Sequence, residues 1–268
     1  MSAMHRMFKT ATIEAEKDKI RKGSLIGVEQ QPNMFALAAS NMILRGDGKA
    51  NLYQGSCFDD AITRAIKKHA CDVGMVNPPY SQSGSDLQEL RFVKHMLDCL
   101  RPGGTGIAII PMSCALTANS LRAEILKAHT LEAVMSLPDE LFYPVGVITC
   151  IMVFTAHKPH HVENRKSWFG YWKEDGFIKT KNKGRIDQTD TWPVIRDRWV
   201  EAFRNREVNA GESVLQKVTA DDEWCAEAYM ETDYNLISME DFEETVQKYA
   251  VFRIMGQEQA HSDSEDST

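Results

Sequence analysis

Apolar and polar positions along the chain switch between a helical rhythm and short continuous apolar runs. Met4, Met7, Phe8, Ala11 and Ala15 recur at helical spacing, with Glu14, Glu16, Lys17, Asp18 and Lys19 left for water. This pattern predicts a helix over residues 3–22, with Gly23 as its stop. Leu25 to Glu29 reads as a buried strand ending in an acid. Pro32 opens a helix that would bury Phe35, Ala38, Ala39 and Met42 and end near Gly46. Asn51 to Gly55 is a short strand and Asp59 to His69 a helix. Asp72 to Val76 is a third apolar strand, expected to be buried. Asp86 to Leu100 repeats the helical pattern, and Arg101-Pro102-Gly103-Gly104 is a sharp turn. Gly106 to Pro111 is continuously apolar, as in a strand buried on both faces. A helix over 120–129 and strands over 131–137 and 147–155 follow.

Alternating strands and helices with short connections predict an α/β chain with a doubly wound, mostly parallel sheet. The strand over 147–155 follows its predecessor without a helix. It is therefore expected to pair antiparallel near an edge. Beyond Pro159 the texture changes. Trp168 to Trp172 and Gly176 to Lys179 flank Lys173-Glu174-Asp175, which predicts a hairpin. Lys179, Lys181, Lys183 and Arg185 form a basic patch, either a solvated turn or a phosphate-facing loop. Residues 192–203 and 239–254 read as amphipathic helices. The division expected is a catalytic core over 1–158, an extension over 159–256, and a disordered acidic tail over 257–268.

The strand over 72–76 stops at Asn77-Pro78-Pro79-Tyr80. Each proline fixes φ near −65° and donates no backbone hydrogen bond. Each also holds the residue before it extended. The Asn77 amide and the carbonyls around it are thus fixed, with an aromatic ring next in line. Acceptors for N–H bonds and a ring for stacking suit a planar ligand that carries an amino group.

Composition narrows the setting. Apolar residues make up 43% and charged residues 26% of the 268, which is ordinary for a globular protein. No apolar run approaches membrane-spanning length. The N-terminus lacks the apolar core of a signal peptide. The six cysteines (Cys57, Cys71, Cys99, Cys114, Cys150 and Cys225) include no Cys-x-x-Cys pair. Free thiols in a reducing cytosol are expected, with neither disulfide nor metal site. A net charge of −7 argues against a chain that grips nucleic acid strongly by itself.

In open α/β sheets ligands collect at the carboxyl ends of strands. Glu29 ends one such strand, where an acid commonly holds the ribose hydroxyls of a nucleoside cofactor. Gly55-Ser56-Cys57 ends the next and could line the base. Asn77 to Tyr80 ends the third.

At these residues a family comes into view. Asn-Pro-Pro-Tyr after such a strand resembles the signature of amino-group methyltransferases that use S-adenosylmethionine. Leu25 to Asn41, Ala50 to Ser56, Arg101 to Gly104 with the following strand, Leu141 to Phe154, and Trp168 to Ile178 also carry a likeness. They resemble the modification (methylase) subunit of type I restriction-modification systems, over most of residues 2–205. The four-residue signature alone is shared with exocyclic-amine and glutamine-amide methyltransferases. The later stretches, above all the hairpin over 168–187, point to the type I subunit.

The resemblance implies a Rossmann-like, S-adenosylmethionine-dependent methyltransferase sheet with a C-terminal hairpin and helical extension. It implies N6 of adenine in double-stranded DNA as the methyl acceptor, a DNA-recognition (specificity) subunit and a restriction subunit as partners, and a cytoplasmic location. Asn77, Pro78, Pro79 and Tyr80 are the expected catalytic residues. Glu29, Ser56, Cys57 and Asn77 are the expected cofactor residues. Tyr80 stacks on the target base, and Phe142 supplies a second face, with Tyr143 as the competing choice. The sequence departs from the family twice. The strand and glycine-rich loop that cradle the cofactor's methionine part are absent, and the helix over 3–22 resembles the one that follows them. Ser56 also stands where the family usually has Asp, so a carboxylate partner for the cofactor's adenine amino group is either absent or supplied by Asp59 or Asp60. The expectation is therefore a chain that, alone, binds the cofactor weakly or not at all. The rival readings are a glutamine-amide or RNA-base methyltransferase, and a non-catalytic scaffold of the same fold.

Overall fold

A computed structural model describes residues 2–44, 51–80, 88–142, 146–161, 163–180 and 183–231, and within 238–250 all but 241, 244 and 248. The helices are α1 (Ser2–Thr10), α2 (Glu14–Gly23), α3 (Pro32–Leu44), α4 (Asp60–Lys68), α5 (Gln88–Cys99), α6 (Ser113–Leu116), α7 (Ser120–Ala128) and α8 (Trp192–Asn205). The strands are β1 (Ile26–Glu29), β2 (Asn51–Gln54), β3 (Val73–Val76), β4 (Thr105–Pro111), β5 (Thr130–Ser136), β6 (Thr149–Thr155), β7 (Ser167–Tyr171), β8 (Ile178–Thr180), β9 (Gly184–Ile186) and β10 (Ser213–Gln216).

Six strands form the main sheet in the order β10-β7-β5-β6-β4-β3. β3 and β4 are parallel, as are β5 and β7, whereas β6 is antiparallel to both its neighbours. The apolar runs of β4 and β6 put Ala108, Ile110, Cys150, Met152 and Phe154 into one core with Leu90, Val93 and Leu97 of α5 and Ile125 and Leu126 of α7. β1 and β2 pair parallel in a sheet of their own.

Several expectations change. The helix over 3–22 is two helices. The Glu16 carboxylate accepts the Thr12 and Ile13 amides, 2.7 and 3.4 Å away, and so opens a fresh helix at Glu14. β6 is antiparallel, as expected, but lies inside the sheet, because β5, β7 and β10 continue beyond it. Trp168 and Phe169 are fully buried in β7, which pairs with β5 and β10 and takes no part in a hairpin with residues 176–179. The hairpin forms one element later, between β8 and β9. Lys179 and Arg185 of the basic patch lie in ion pairs with Glu140 and Asp175, so their charges are met within the chain. Lys181, Tyr143 and residues 251–268 fall outside the described residues.

Burial is unevenly shared. Between residues 3 and 77, Met4 is the one fully buried residue among those described. In α3 the expected face, Phe35, Ala38, Ala39 and Met42, is only half-buried. β3, expected to be buried, leaves Val73 55% and Met75 71% exposed. By contrast, β5 to β7 are almost wholly interior, and β4 buries alternate residues, so it is covered fully on one face only. One knot ties that interior to the later part of the chain: Glu132 of β5 accepts from Thr155, Arg165 and Arg206. Burial raises its pKa, but these bonds outweigh it and hold the carboxyl below its ordinary value.

Candidate functional site

The carboxyl ends of β1, β2 and β3 meet at a cavity of about 590 Å³ whose wall includes Glu29, Gly55, Cys57, Asn77, Pro78 and Pro79. The Gly55 amide donates to the Glu29 carbonyl at 3.0 Å, which holds the two strand ends together. Gly55 has φ +144°, a conformation that L side chains rarely adopt, and a Cβ there would come within 2.7 Å of Ile62. Glu29 Oε1 accepts the Gln31 amide at 2.7 Å, which orients the carboxylate. Among the described residues no protein hydrogen bond takes its Oε2.

Ser56 Oγ accepts the Phe58 amide at 3.2 Å, and Ser56 is not part of the cavity wall. Cys57 is, and its carbonyl accepts the Thr63 hydroxyl at 3.0 Å. Burial raises the Cys57 pKa, so this thiol is an apolar wall rather than a nucleophile. Asp59 caps α4, with Oδ1 accepting the Ala61 and Ile62 amides at 2.8 and 3.2 Å.

The turn after β3 has the character its prolines impose. Pro78 is buried, and Asn77 and Pro79 are exposed. Among the described residues, neither the Asn77 side chain nor the Pro78 carbonyl has a hydrogen-bond partner. At the strand end both acceptors are thus unmet by any described residue.

Tyr80 turns away from the cavity. Its ring meets Phe142 edge to face, with centroids 6.1 Å apart and planes at 89°. Its hydroxyl is buried with no partner among the described residues. Burial first, then Cys150, Glu89 and Cys114, push the phenol pKa up. The two rings already touch, so a planar guest would stack on a free face of one of them and not between them. The residues brought to one wall are therefore Glu29, Cys57 and Asn77, while Tyr80 and Phe142 form a second station beside it.

Sequence reasoning missed two groups. Phe58 packs on Phe92 and His95, with centroids 4.8 and 5.0 Å apart, and Phe92 and His95 line the cavity. Burial lowers the His95 pKa. The signal was Phe58 directly after Ser56-Cys57. The second group is Ser136, whose hydroxyl donates to Glu227 at 2.6 Å, with Lys173 3.9 Å from the same carboxylate. These residues lie 91 positions apart in sequence, and no local pattern joins them. Among the described residues no His, Cys, Asp and Glu cluster could hold a metal, and no helix is long and apolar enough to cross a membrane.

Residues 5–256 match the N-6 DNA methylase family. The chain belongs to that family. It is 34% identical over 264 residues to the type II restriction enzyme and methyltransferase RM.BcgI of Heyndrickxia coagulans, covering 94% of this chain and 40% of that protein. It is 26% identical over 152 residues to the methylase subunit of the type I restriction enzyme EcoKI of Escherichia coli, covering 49% of this chain and 28% of the subunit. The chain thus spans less than half the length of these curated relatives. A modification subunit of a type I restriction enzyme from Vibrio vulnificus shares the fold, with a TM-score of 0.61 and 16% identity over 84% of this chain and 53% of that one. The family resemblance read from the sequence holds, and so does the α/β methyltransferase fold. The relatives span both type II and type I systems.

Proposed function

We propose that this N-6 DNA methylase family chain carries the catalytic part of an adenine-specific DNA methyltransferase within a restriction-modification assembly. The observation that carries the reading is the pair of open acceptors, Asn77 Oδ1 and the Pro78 carbonyl. They lie at a proline-fixed strand end between the Glu29 cavity and the Tyr80–Phe142 rings.

The amino nitrogen of adenine is a weak nucleophile, because its lone pair is delocalised into the ring. Two fixed acceptors take its two hydrogens and favour a pyramidal nitrogen with the lone pair directed outward. This is preorganised electrostatics combined with positioning. No covalent nucleophile is needed, which agrees with the raised pKa values of Cys57, Cys114 and Cys150. Extruding the base from duplex DNA costs a few kcal/mol. Stacking on an aromatic ring returns about 1–3 kcal/mol per base, and Tyr80 with Phe142 is the place for it.

The donor side fits the nucleoside half of S-adenosylmethionine. Glu29 offers one carboxylate oxygen for ribose hydroxyls, and Gly55 and Cys57 wall the place for the base. The cofactor, when bound, supplies a methyl group made electrophilic by its sulfonium. Among the described residues no glycine-rich turn cradles the methionine half. The isolated chain is therefore expected to bind the cofactor weakly, and calorimetry finding micromolar affinity for residues 1–268 would remove that part of the reading.

The acceptor is tested in the assembled enzyme, with its recognition and restriction subunits, on duplex DNA, RNA and protein. N6-methyladenine in DNA is expected, lost at least about a hundredfold with Asn77→Ala, in the range set by removing one oxyanion-type contact. Methylated RNA or glutamine would transfer the reading to another acceptor. Undiminished activity would remove Asn77 from the mechanism.

A further inference from the structure

The ring that meets Tyr80 hangs on a short turn after β5. Phe142 follows residues 138–141, where the Leu141 amide donates to the Pro138 carbonyl at 3.1 Å. Asp139, Glu140 and Leu141 are exposed, so packing does little to fix the turn. Its root is firm. The Leu137 amide donates to the Thr149 carbonyl at 3.0 Å, and the Ser136 carbonyl accepts the Trp172 amide at 2.9 Å.

Charge holds the turn from outside. Lys173 donates to Asp139 of the turn and lies 3.9 Å from Glu227. Glu227 in turn accepts the fully buried Ser136 hydroxyl at 2.6 Å, at the end of β5. The Lys173 side chain is only 17% exposed, whereas that of Asp139 is 62% exposed. A cation that far withdrawn from water needs carboxylates beside it. Here one carboxylate is rooted on the sheet and the other rides on the turn. The pair of Lys179 with Glu140 is half-exposed on both sides, so water screens it. The same charges lie close to the ring pair. Ile110, Cys150, Ser136 and Tyr171 stand side by side across β4, β6, β5 and β7. The buried Cys150 thiol is within electrostatic reach of Tyr80 and also of Glu227 and Lys173.

We propose that Lys173 is a positioning residue for methyl transfer: it clamps the turn 138–141 to Glu227 and so holds Phe142 edge-on against Tyr80. That contact sets the free ring face on which the target base stacks. Lys173 acts through Phe142 and does not meet the base. The inference rests on the target-base reading of Tyr80 and Phe142. A base stacked out of line attacks the methyl group more slowly, since a misplacement of about 1 Å can cost about a hundredfold. Donor binding at the Glu29 wall does not depend on the clamp.

The test pairs amide exchange on the 268-residue chain with kinetics of the assembled enzyme. Lys173→Met keeps the apolar stem and removes the charge. Asp139→Asn breaks the same link from the exposed side and leaves Lys173 with Glu227, so it decides where Lys173→Met does not fold. Either variant should speed exchange at the Leu141 amide about threefold or more while β5 and β6 stay protected. Either should lower kcat about fivefold or more and leave KM for S-adenosylmethionine within about twofold. Lys179→Met should do neither, and Lys173→Arg, which keeps the charge, should retain most of kcat. Phe142→Ala is expected to lower kcat about tenfold. Adding Lys173→Met or Asp139→Asn to it should cost nothing more, because both act through one ring. Unchanged exchange at Leu141, an unchanged kcat, losses that multiply with Phe142→Ala, or an equal loss with Lys179→Met would each overturn the inference. Phe142→Ala with full activity would overturn the stacking reading and this inference with it. Methylated RNA or glutamine in place of DNA would overturn the adenine reading alone, since exchange and the double-mutant comparison still decide on Lys173.

Discussion

Tyr80 combines a ring placed for stacking with a hydroxyl that is buried without a partner among the described residues. A buried polar group left unpaired costs about 1–3 kcal/mol. Tyr80→Phe is therefore expected to leave the thermal midpoint unchanged or raised, and to keep methylation in the assembled enzyme. Tyr80→Ala removes the stacking face and should cut methylation by about tenfold or more. A second residue-scale effect lies away from the site. His129 is fully buried, and its Nδ1 accepts the His157 amide at 3.0 Å. Its proton therefore sits on Nε2, 3.2 Å from Asp98. That hydrogen bond, helped by Lys94 and opposed by partial burial, holds the Asp98 carboxyl down to about 2. A depressed folded-state pKa contributes stability above the unfolded value of about 3.9. That contribution is lost as pH falls through about 2. Acid unfolding of Asp98→Asn should accordingly be shallower than that of the wild type between about pH 4 and pH 2, followed by circular dichroism.

Among the elements, the helix caps decide where segments begin. Asp59 spends Oδ1 on two amides of α4. Asp59→Ala should cost about 1 kcal/mol by denaturant titration while Asp59→Asn keeps most of the stability, because Asn caps as well as Asp does. Most strands and helices were legible from periodicity, since each buries a face that its own spacing announces. The split between α1 and α2 was not, because Ala11 and Ala15 carry the helical rhythm across a break that the Glu16 carboxylate creates. Strand pairing was not legible either. The aromatic run from Trp168 to Trp172 reads the same in a hairpin as in an interior strand, and only its partners β5 and β10 decide. At the site, Glu29, Cys57 and Asn77 could be placed together because each ends a strand. Tyr80's turn away from them could not be foreseen, because a side-chain direction after two prolines is settled by packing.

Across the whole molecule, stability is concentrated beyond residue 78, and Glu132 is where it is cross-linked. Its carboxylate joins β5 to Thr155 on β6, to Arg165 before β7 and to Arg206 after α8. Removing one partner from a buried ionic cluster costs about 3–5 kcal/mol. Here the two arginines are about a third exposed, so solvent screening brings the expected cost of Glu132→Ala below that range, to about 2–3 kcal/mol, read from the denaturant midpoint. Unfolding should then begin in the C-terminal strands rather than at β1 and β2.

Among the described residues, β1 pairs with β2 alone and β3 with β4 alone, which leaves each an unpaired edge with Val73 and Met75 exposed beside the second, and this bears on the behaviour of the chain in a tube. Unpaired strand edges are templates for any other chain that can add to them, including another copy of this one. Soluble proteins hold such copies apart by like charge, and here that duty falls on a net charge of −7. Salt shortens the reach of that repulsion to about 10 Å at 0.1 M and about 3 Å at 1 M. The purified chain is therefore expected to be monodisperse at low ionic strength and to self-associate as salt rises, as followed by light scattering. Met75→Asp should suppress that association while the protein stays folded.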